Sequence, residues 1–130
     1  MKCATIRHVS DGLIVCFGYG CNPCCKQHEG CDAIYIQSIR GRLRVVFAEI
    51  KRAKLDPKQA EHAIKQLNFC KDHIATPRDA DIRYMIIAES YTQGALRKLQ
   101  RVYLSEKIPI ERRKVNENDL IVRMILNVAR

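Results

Sequence analysis

Val45-Val46-Phe47-Ala48-Glu49-Ile50-Lys51, or VVFAEIK, is an apolar run that ends in two charged residues two positions apart. Such a run predicts a buried β-strand. Side chains alternate across a strand, so Glu49 and Lys51 share one face with Val45 and Phe47. Burying a carboxylate and an ammonium is costly unless they are paired, hydrated or bound to a metal. Either this strand is exposed on one face, or its two charges serve a function.

The residues before VVFAEIK predict its partner strand. Asp32–Ile36 reads as a strand, and Leu43–Lys51 returns after a short turn, which together predict an antiparallel hairpin. The start of the first strand then lies beside the end of the second. We therefore expect the side chains of Asp32, Glu49 and Lys51 to meet at one rim of a sheet.

Two carboxylates that converge repel each other unless one is protonated or a cation bridges them. Oxygen ligands of this kind suit Mg²⁺ or Mn²⁺, which take further ligands from water and from a phosphate substrate. A neighbouring lysine can orient an attacking water or stabilise charge that develops on phosphorus. Asp32, Glu49 and Lys51 thus supply the parts for metal-assisted phosphodiester hydrolysis. The alternative is a half-exposed strand whose charges are simply solvated.

The remaining pattern predicts one α/β domain over residues 1–130. An amphipathic helix follows VVFAEIK, with Asp56 as its N-cap and Pro57 at its first position. The other predicted elements are an N-terminal hairpin of Ala4–Val9 and Leu13–Phe17, a strand at Ile82–Ala88, a helix capped by Ser90 that runs to about Leu104, a strand at Ile108–Val115 and a C-terminal helix capped by Asn118.

This order of elements resembles the PD-(D/E)XK nuclease superfamily. The matching residues are Asp32 in Cys31–Ile36, Glu49 and Lys51 in Phe47–Lys51, and Gln66 on the following helix. The resemblance covers about residues 30 to 90. It implies a restriction-endonuclease-like fold, a mixed central sheet flanked by helices. It also implies a DNA-cleaving site in which Asp32 and Glu49 hold the metal, Lys51 assists the water and Gln66 is an auxiliary polar residue.

A second unusual stretch is rich in cysteine. Cys21 and Cys24 have the C-x-x-C spacing of zinc sites, and Cys25, His28 or Cys31 could complete a ligand set for Zn²⁺ or an iron–sulfur cluster. The alternative is a loop of reduced cysteines packed as small apolar side chains. In an intracellular chain, seven cysteines favour thiols or metal ligands over disulfides.

The net charge indicates which class of binding partner to expect. The net charge of +9 favours a polyanion such as nucleic acid, with solubilisation as the alternative. The expected DNA contacts flank VVFAEIK and are Arg40, Arg42, Arg44, Arg52 and Lys54. The chain has no apolar run long enough to span a bilayer and no secretory signal at its start, so we expect an intracellular, cytoplasmic protein without a membrane partner.

The leading functional hypothesis is therefore a Mg²⁺-dependent DNA endonuclease, with branched DNA among its expected substrates. A non-catalytic nucleic-acid-binding module with a zinc-stabilised Cys-rich loop is the alternative, and an inactive nuclease fold is a third. We also expect a homodimer, because the C-terminal segment carries more apolar residues than one helix face needs: Ile121, Val122, Met124, Ile125, Leu126 and Val128.

Overall fold

A computed structural model describes residues 4–17 and 30–128 of the chain. In these ranges a six-stranded mixed sheet is flanked by three helices. The elements are β1 (Ala4–Val9), β2 (Gly12–Phe17), β3 (Ala33–Ile39), β4 (Arg42–Leu55), α1 (Pro57–His73), β5 (Asp81–Tyr91), α2 (Gln93–Glu106), β6 (Ile110–Lys114) and α3 (Leu120–Val128).

The strands lie in sequence order across the sheet, from β1 to β6. The first four pair antiparallel, as the predicted hairpins require. The pairs β4–β5 and β5–β6 are parallel, and α1 and α2 are the helical connections that such pairs need. The predicted mixed sheet with flanking helices and an N-terminal hairpin is confirmed. Because β4 and β5 run parallel, their carboxyl ends meet at one rim of the sheet.

The predicted alternation along β4 is confirmed. Val45 and Phe47 lie in the core that α1 and α2 cover. Val46 and Ala48 lie in the core on the opposite face, against α3. Both faces of β4 are therefore covered, and the reading of VVFAEIK as a strand with one solvated face is wrong for its apolar part.

Helix α1 begins as its sequence predicts. The Asp56 carboxylate accepts a hydrogen bond from the Gln59 backbone N–H at 2.7 Å, and Pro57 occupies the first turn. The buried face of α1 has the predicted spacing of small and aliphatic residues: Ala60, Ala63, Ile64, Leu67 and Cys70. This face fixes the rotation of α1 over the sheet, and with it the direction of its polar residues.

Two predicted helix caps are wrong. Ser90 lies inside β5, because the parallel pairing of Lys54 with Ser90 extends that strand, and the Thr92 hydroxyl caps α2 instead. At α3 the Asp119 carboxylate, one residue after Asn118, accepts from the Ile121 and Val122 backbone N–H groups. Each true cap lies one or two residues after the predicted one.

The C-terminal apolar segment packs inside its own chain. Val122, Ile125 and Leu126 are buried in the core on the α3 face of the sheet, and Ile121 and Met124 pack against it. The side chain of Val128 lies outside the described residues. The apolar surplus on which the homodimer prediction rested is thus used within the protomer. The homodimer stays a prediction without an assigned surface.

In the described ranges, no helix has the length and apolar character needed to cross a membrane.

Candidate active site

Asp32 lies beside β4 at the rim where β3 begins. The predicted end of β4 at Lys51 is wrong, because parallel pairing with β5 extends the strand to Leu55. The Asp32 backbone N–H donates to the Ala48 carbonyl at 3.0 Å, which continues the β3–β4 ladder by one residue. Its carboxylate Oδ2 accepts from the Ile50 backbone N–H at 2.8 Å. Main-chain contacts to β4 therefore hold Asp32 at both its backbone and its side chain. The structure places Asp32 beside Glu49, on the same rim.

Glu49 is the only fully buried charged residue among those described, with 1 % of its surface exposed. Its Oε2 lies 3.2 Å from Lys51 Nζ. Its Oε1 is also buried and receives no hydrogen bond from the described residues. A buried carboxylate oxygen without a donor is costly, so a proton or a cation is needed there.

The pKa of Glu49 is raised from an ordinary 4.5 to about 9. Burial is the main cause, because it penalises the ionised form. The negative charge of Asp32 adds to the rise, as does a hydrogen bond with Asp32 that favours the neutral acid. The nearby Lys51 ammonium opposes the rise without cancelling it. Two carboxylates thus converge so closely that, without a cation, one of them keeps its proton at neutral pH.

Lys51 connects this carboxylate pair to helix α1. Its Nζ lies 3.2 Å from Glu49 Oε2, donates to Gln66 Oε1 at 3.1 Å and lies 3.3 Å from His62 Nδ1. Gln66 is itself fixed, since its Nε2 donates to the Gly30 carbonyl at 3.4 Å. The structure therefore brings all four predicted residues, Asp32, Glu49, Lys51 and Gln66, to one rim.

The sequence does not single out His62 as a site residue, because its side chain is exposed and its neighbours along α1 are polar. A signal was present in the spacing. His62 precedes Gln66 by four residues, so the two lie one turn apart on the same face of the helix. Since Gln66 is a predicted site residue, the residue four positions before it on the helix is expected near the site as well.

Cys31 and Cys70 form a disulfide with their Cα atoms 5.9 Å apart. Cys16 is disulfide-bonded as well. The expectation of thiols or metal ligands over disulfides is therefore wrong for these cysteines. The start of β3 packs against α1 closely enough to pair residues 39 positions apart. In this form Cys31 offers no thiolate to a metal, and the other proposed ligands, Cys21, Cys24, Cys25 and His28, lie outside the described residues.

The disulfide adjoins the site on both of its sides. Cys31 directly precedes Asp32, and Cys70 lies one helical turn after Gln66. The backbone N–H of Cys31 also points at Cys70 Sγ, at 2.8 Å. The bond thus fastens the segment that carries Asp32 to the helix that carries Gln66 and His62.

The predicted DNA contacts separate into two groups. Arg52 and Lys54 are exposed on β4 directly after Lys51, next to the site. Arg40 and Arg42 lie at the β3–β4 turn, and the seven-residue ladder between them and the Asp32 end is roughly 23 Å long. Arg44, near that turn, is paired with Asp81 at 2.9 Å. The five cations therefore do not form one continuous surface beside the carboxylates.

Among the described residues no group of three or more His, Cys, Asp and Glu side chains is placed to hold a metal. Asp32 and Glu49 are a pair. Mg²⁺ commonly takes one or two protein carboxylates and completes its shell with water and substrate phosphate. Comparisons with protein-family models, curated proteins and solved structures returned no match for this chain.

Proposed function

We propose that this protein is a Mg²⁺- or Mn²⁺-dependent deoxyribonuclease with a restriction-endonuclease-like core, cutting phosphodiester bonds within DNA, branched DNA included. The observation that carries the proposal is the buried Glu49 carboxylate beside Asp32, with Oε1 left without a donor among the described residues. A solvated strand end explains neither this burial nor the convergence of two acids.

The residues fit a divalent ion. Asp32 has one carboxylate oxygen engaged by the Ile50 N–H, and Glu49 has one engaged by Lys51. The ion would replace the proton that holds the two acids together in the metal-free protein. Both ligands are hard oxygen donors, which suit Mg²⁺ and Mn²⁺. When bound, the ion would polarise the scissile phosphate and lower the pKa of a coordinated water.

Lys51 contributes a positive charge beside that phosphate. Its contacts with Glu49 and Gln66 restrict the Nζ atom to the rim, so little reorganisation is needed when negative charge develops on phosphorus. Gln66 links the Gly30 backbone to Lys51, because its Nε2 donates to the Gly30 carbonyl and its Oε1 accepts from Lys51 Nζ. Gln66 is thus a positioning residue, while Asp32 and Glu49 would hold the ion and Lys51 would lie beside the substrate phosphate.

The surface next to the site suits a polyanion. Arg52 and Lys54 extend from the end of β4, and Lys58 and Lys65 are exposed on α1 on either side of His62 in sequence. These exposed cations lie close to the site in sequence. They can hold a phosphate backbone across Asp32 and Glu49 without base contacts, as sequence-independent DNA binding requires.

A cleavage assay with Asp32→Asn tests the proposal. The amide oxygen can still accept from the Ile50 N–H, so the fold is retained while the charge that binds the ion is lost. We expect cleavage of linear, single-stranded or branched DNA by the wild type in Mg²⁺, and a fall of roughly 10²-fold or more in the variant.

The exposed Asp72 at the end of α1 supplies the matched control, Asp72→Asn, which should cleave like the wild type. A wild type that binds DNA without cutting any of these substrates in Mg²⁺ or Mn²⁺ would favour the non-catalytic binding module.

Charge variants should locate the DNA. Replacing Arg52 and Lys54 with Gln is expected to lower the slope of log affinity against log salt by about 1.8, since each lost phosphate contact removes about 0.9. The pair Arg40→Gln and Arg42→Gln, at the far end of the strand, is expected to change the slope less on a short duplex. A larger effect from this second pair, measured by salt-dependent anisotropy titration, would place the DNA at the β3–β4 turn.

A further inference from the structure

An ammonium group has three N–H donors and no acceptor. Lys51 Nζ has three neighbours within hydrogen-bond distance: Glu49 Oε2, Gln66 Oε1 and His62 Nδ1. The first two are oxygen acceptors. Since lysine cannot accept, the third contact is a hydrogen bond only if Nδ1 carries a lone pair. His62 is then neutral, with its proton on Nε2.

We propose that His62 is a positioning residue for Lys51: its neutral imidazole accepts the third hydrogen bond of the ammonium and fixes Nζ at the rim. This role rests on the proposed nuclease function for its catalytic consequence, although the hydrogen bond itself does not. With only Glu49 and Gln66 as partners, Lys51 would keep one free donor and could rotate toward solvent.

A protonated ring could not hold Lys51 in this way, because it would point an N–H at the ammonium and set two cations side by side. Among the described residues of α1, Glu61 is no replacement acceptor, since Lys98 of α2 engages it at 3.0 Å.

Two substitutions test separately whether the acceptor atom of His62 or its flat ring matters. His62→Asn places an amide oxygen near the position of Nδ1, where it can accept the same hydrogen bond. His62→Phe keeps a flat ring without an acceptor. His73→Asn is the matched control, because His73 lies on the same helix, stacked on Phe69 with its Nδ1 2.9 Å from the Phe69 carbonyl.

The first measurement needs neither metal nor DNA. A long-range ¹H–¹⁵N NMR spectrum of the imidazole should show His62 as the Nε2–H tautomer at pH 8. The Lys51 ammonium signal should be retained in the wild type and in His62→Asn and broadened by solvent exchange in His62→Phe. A proton on Nδ1, or a Lys51 signal indifferent to all three variants, would overturn the assignment.

The second measurement is the rate of cleavage. We expect His62→Phe to lower kcat about tenfold with KM unchanged, His62→Asn to restore it, and His73→Asn to change nothing. A kcat of His62→Phe equal to that of the wild type would refute the role in catalysis. If the wild type does not cleave at all, the nuclease proposal fails while the NMR result still decides the hydrogen bond.

Discussion

Replacing Glu49 with Gln is expected to abolish metal-dependent cleavage and, in the metal-free protein, to increase stability. The folded-state pKa of Glu49 is about 9, against an ordinary 4.5. Between these values the folded chain holds a proton that the unfolded chain releases. Stability therefore falls as pH rises through this window, by up to about 1.4 kcal/mol per pH unit. Gln removes this cost and can still accept from Lys51.

We expect the free energy of unfolding of Glu49→Gln to exceed that of the wild type by about 2 to 4 kcal/mol at pH 8, with the difference shrinking toward pH 5. Cleavage in Mg²⁺ should fall by roughly 10³-fold. Urea denaturation at several pH values in a chelating buffer measures the first, and a DNA assay the second. Glu89→Gln, on an exposed position of β5, is the matched control and should alter neither quantity.

A pH-independent difference in stability, or a variant less stable than the wild type at pH 8, would contradict the assignment of Glu49 as a carboxyl held neutral by burial and by Asp32. Added Mg²⁺ gives a further check. It should raise the unfolding free energy of the wild type and leave that of Glu49→Gln nearly unchanged, because only the wild type offers a second carboxylate to the ion.

Removal of the Cys31–Cys70 disulfide is expected to destabilise the protein by about 3 to 4 kcal/mol. The bond joins residues 39 positions apart. Closing a loop of this length lowers the conformational entropy of the unfolded chain, which stabilises the folded state by about that free energy. Both cysteines are buried and alanine is apolar, so the double variant Cys31→Ala/Cys70→Ala adds no unpaired polar group to the core. It also frees the Asp32 segment from α1, so we expect weaker Mg²⁺ binding as well.

Chemical unfolding with and without dithiothreitol measures this effect. The reductant should destabilise the wild type by about 3 to 4 kcal/mol more than it destabilises the double variant, because other disulfides, such as that of Cys16, are reduced in both. Under reducing conditions the two proteins should differ by no more than about 1 kcal/mol, the scale of two small core truncations. Equal sensitivity to the reductant would show that Cys31 and Cys70 are not bonded in solution.

The sequence by itself determined the elements whose signals are local. Alternation in VVFAEIK predicted which side chains face each side of β4. Asp56 followed by Pro57 predicted where α1 begins, and the Asp56–Gln59 hydrogen bond confirms it. The short span between Asp32 and Glu49 placed both acids at one rim, because an antiparallel hairpin leaves few alternatives. Backbone period and turn length decide these features, and neither depends on distant parts of the chain.

Other features were decided only by the tertiary structure. Ser90 carries a capping signal, yet pairing with Lys54 keeps it in β5. The arginines of the β3–β4 turn are near VVFAEIK in sequence and a strand length away from the site in space. The Cys31–Cys70 bond, the contact of His62 with Lys51 and the raised pKa of Glu49 all arise where α1 packs on the rim. They depend on long-range packing and on the exclusion of water that it causes, and local sequence patterns encode neither.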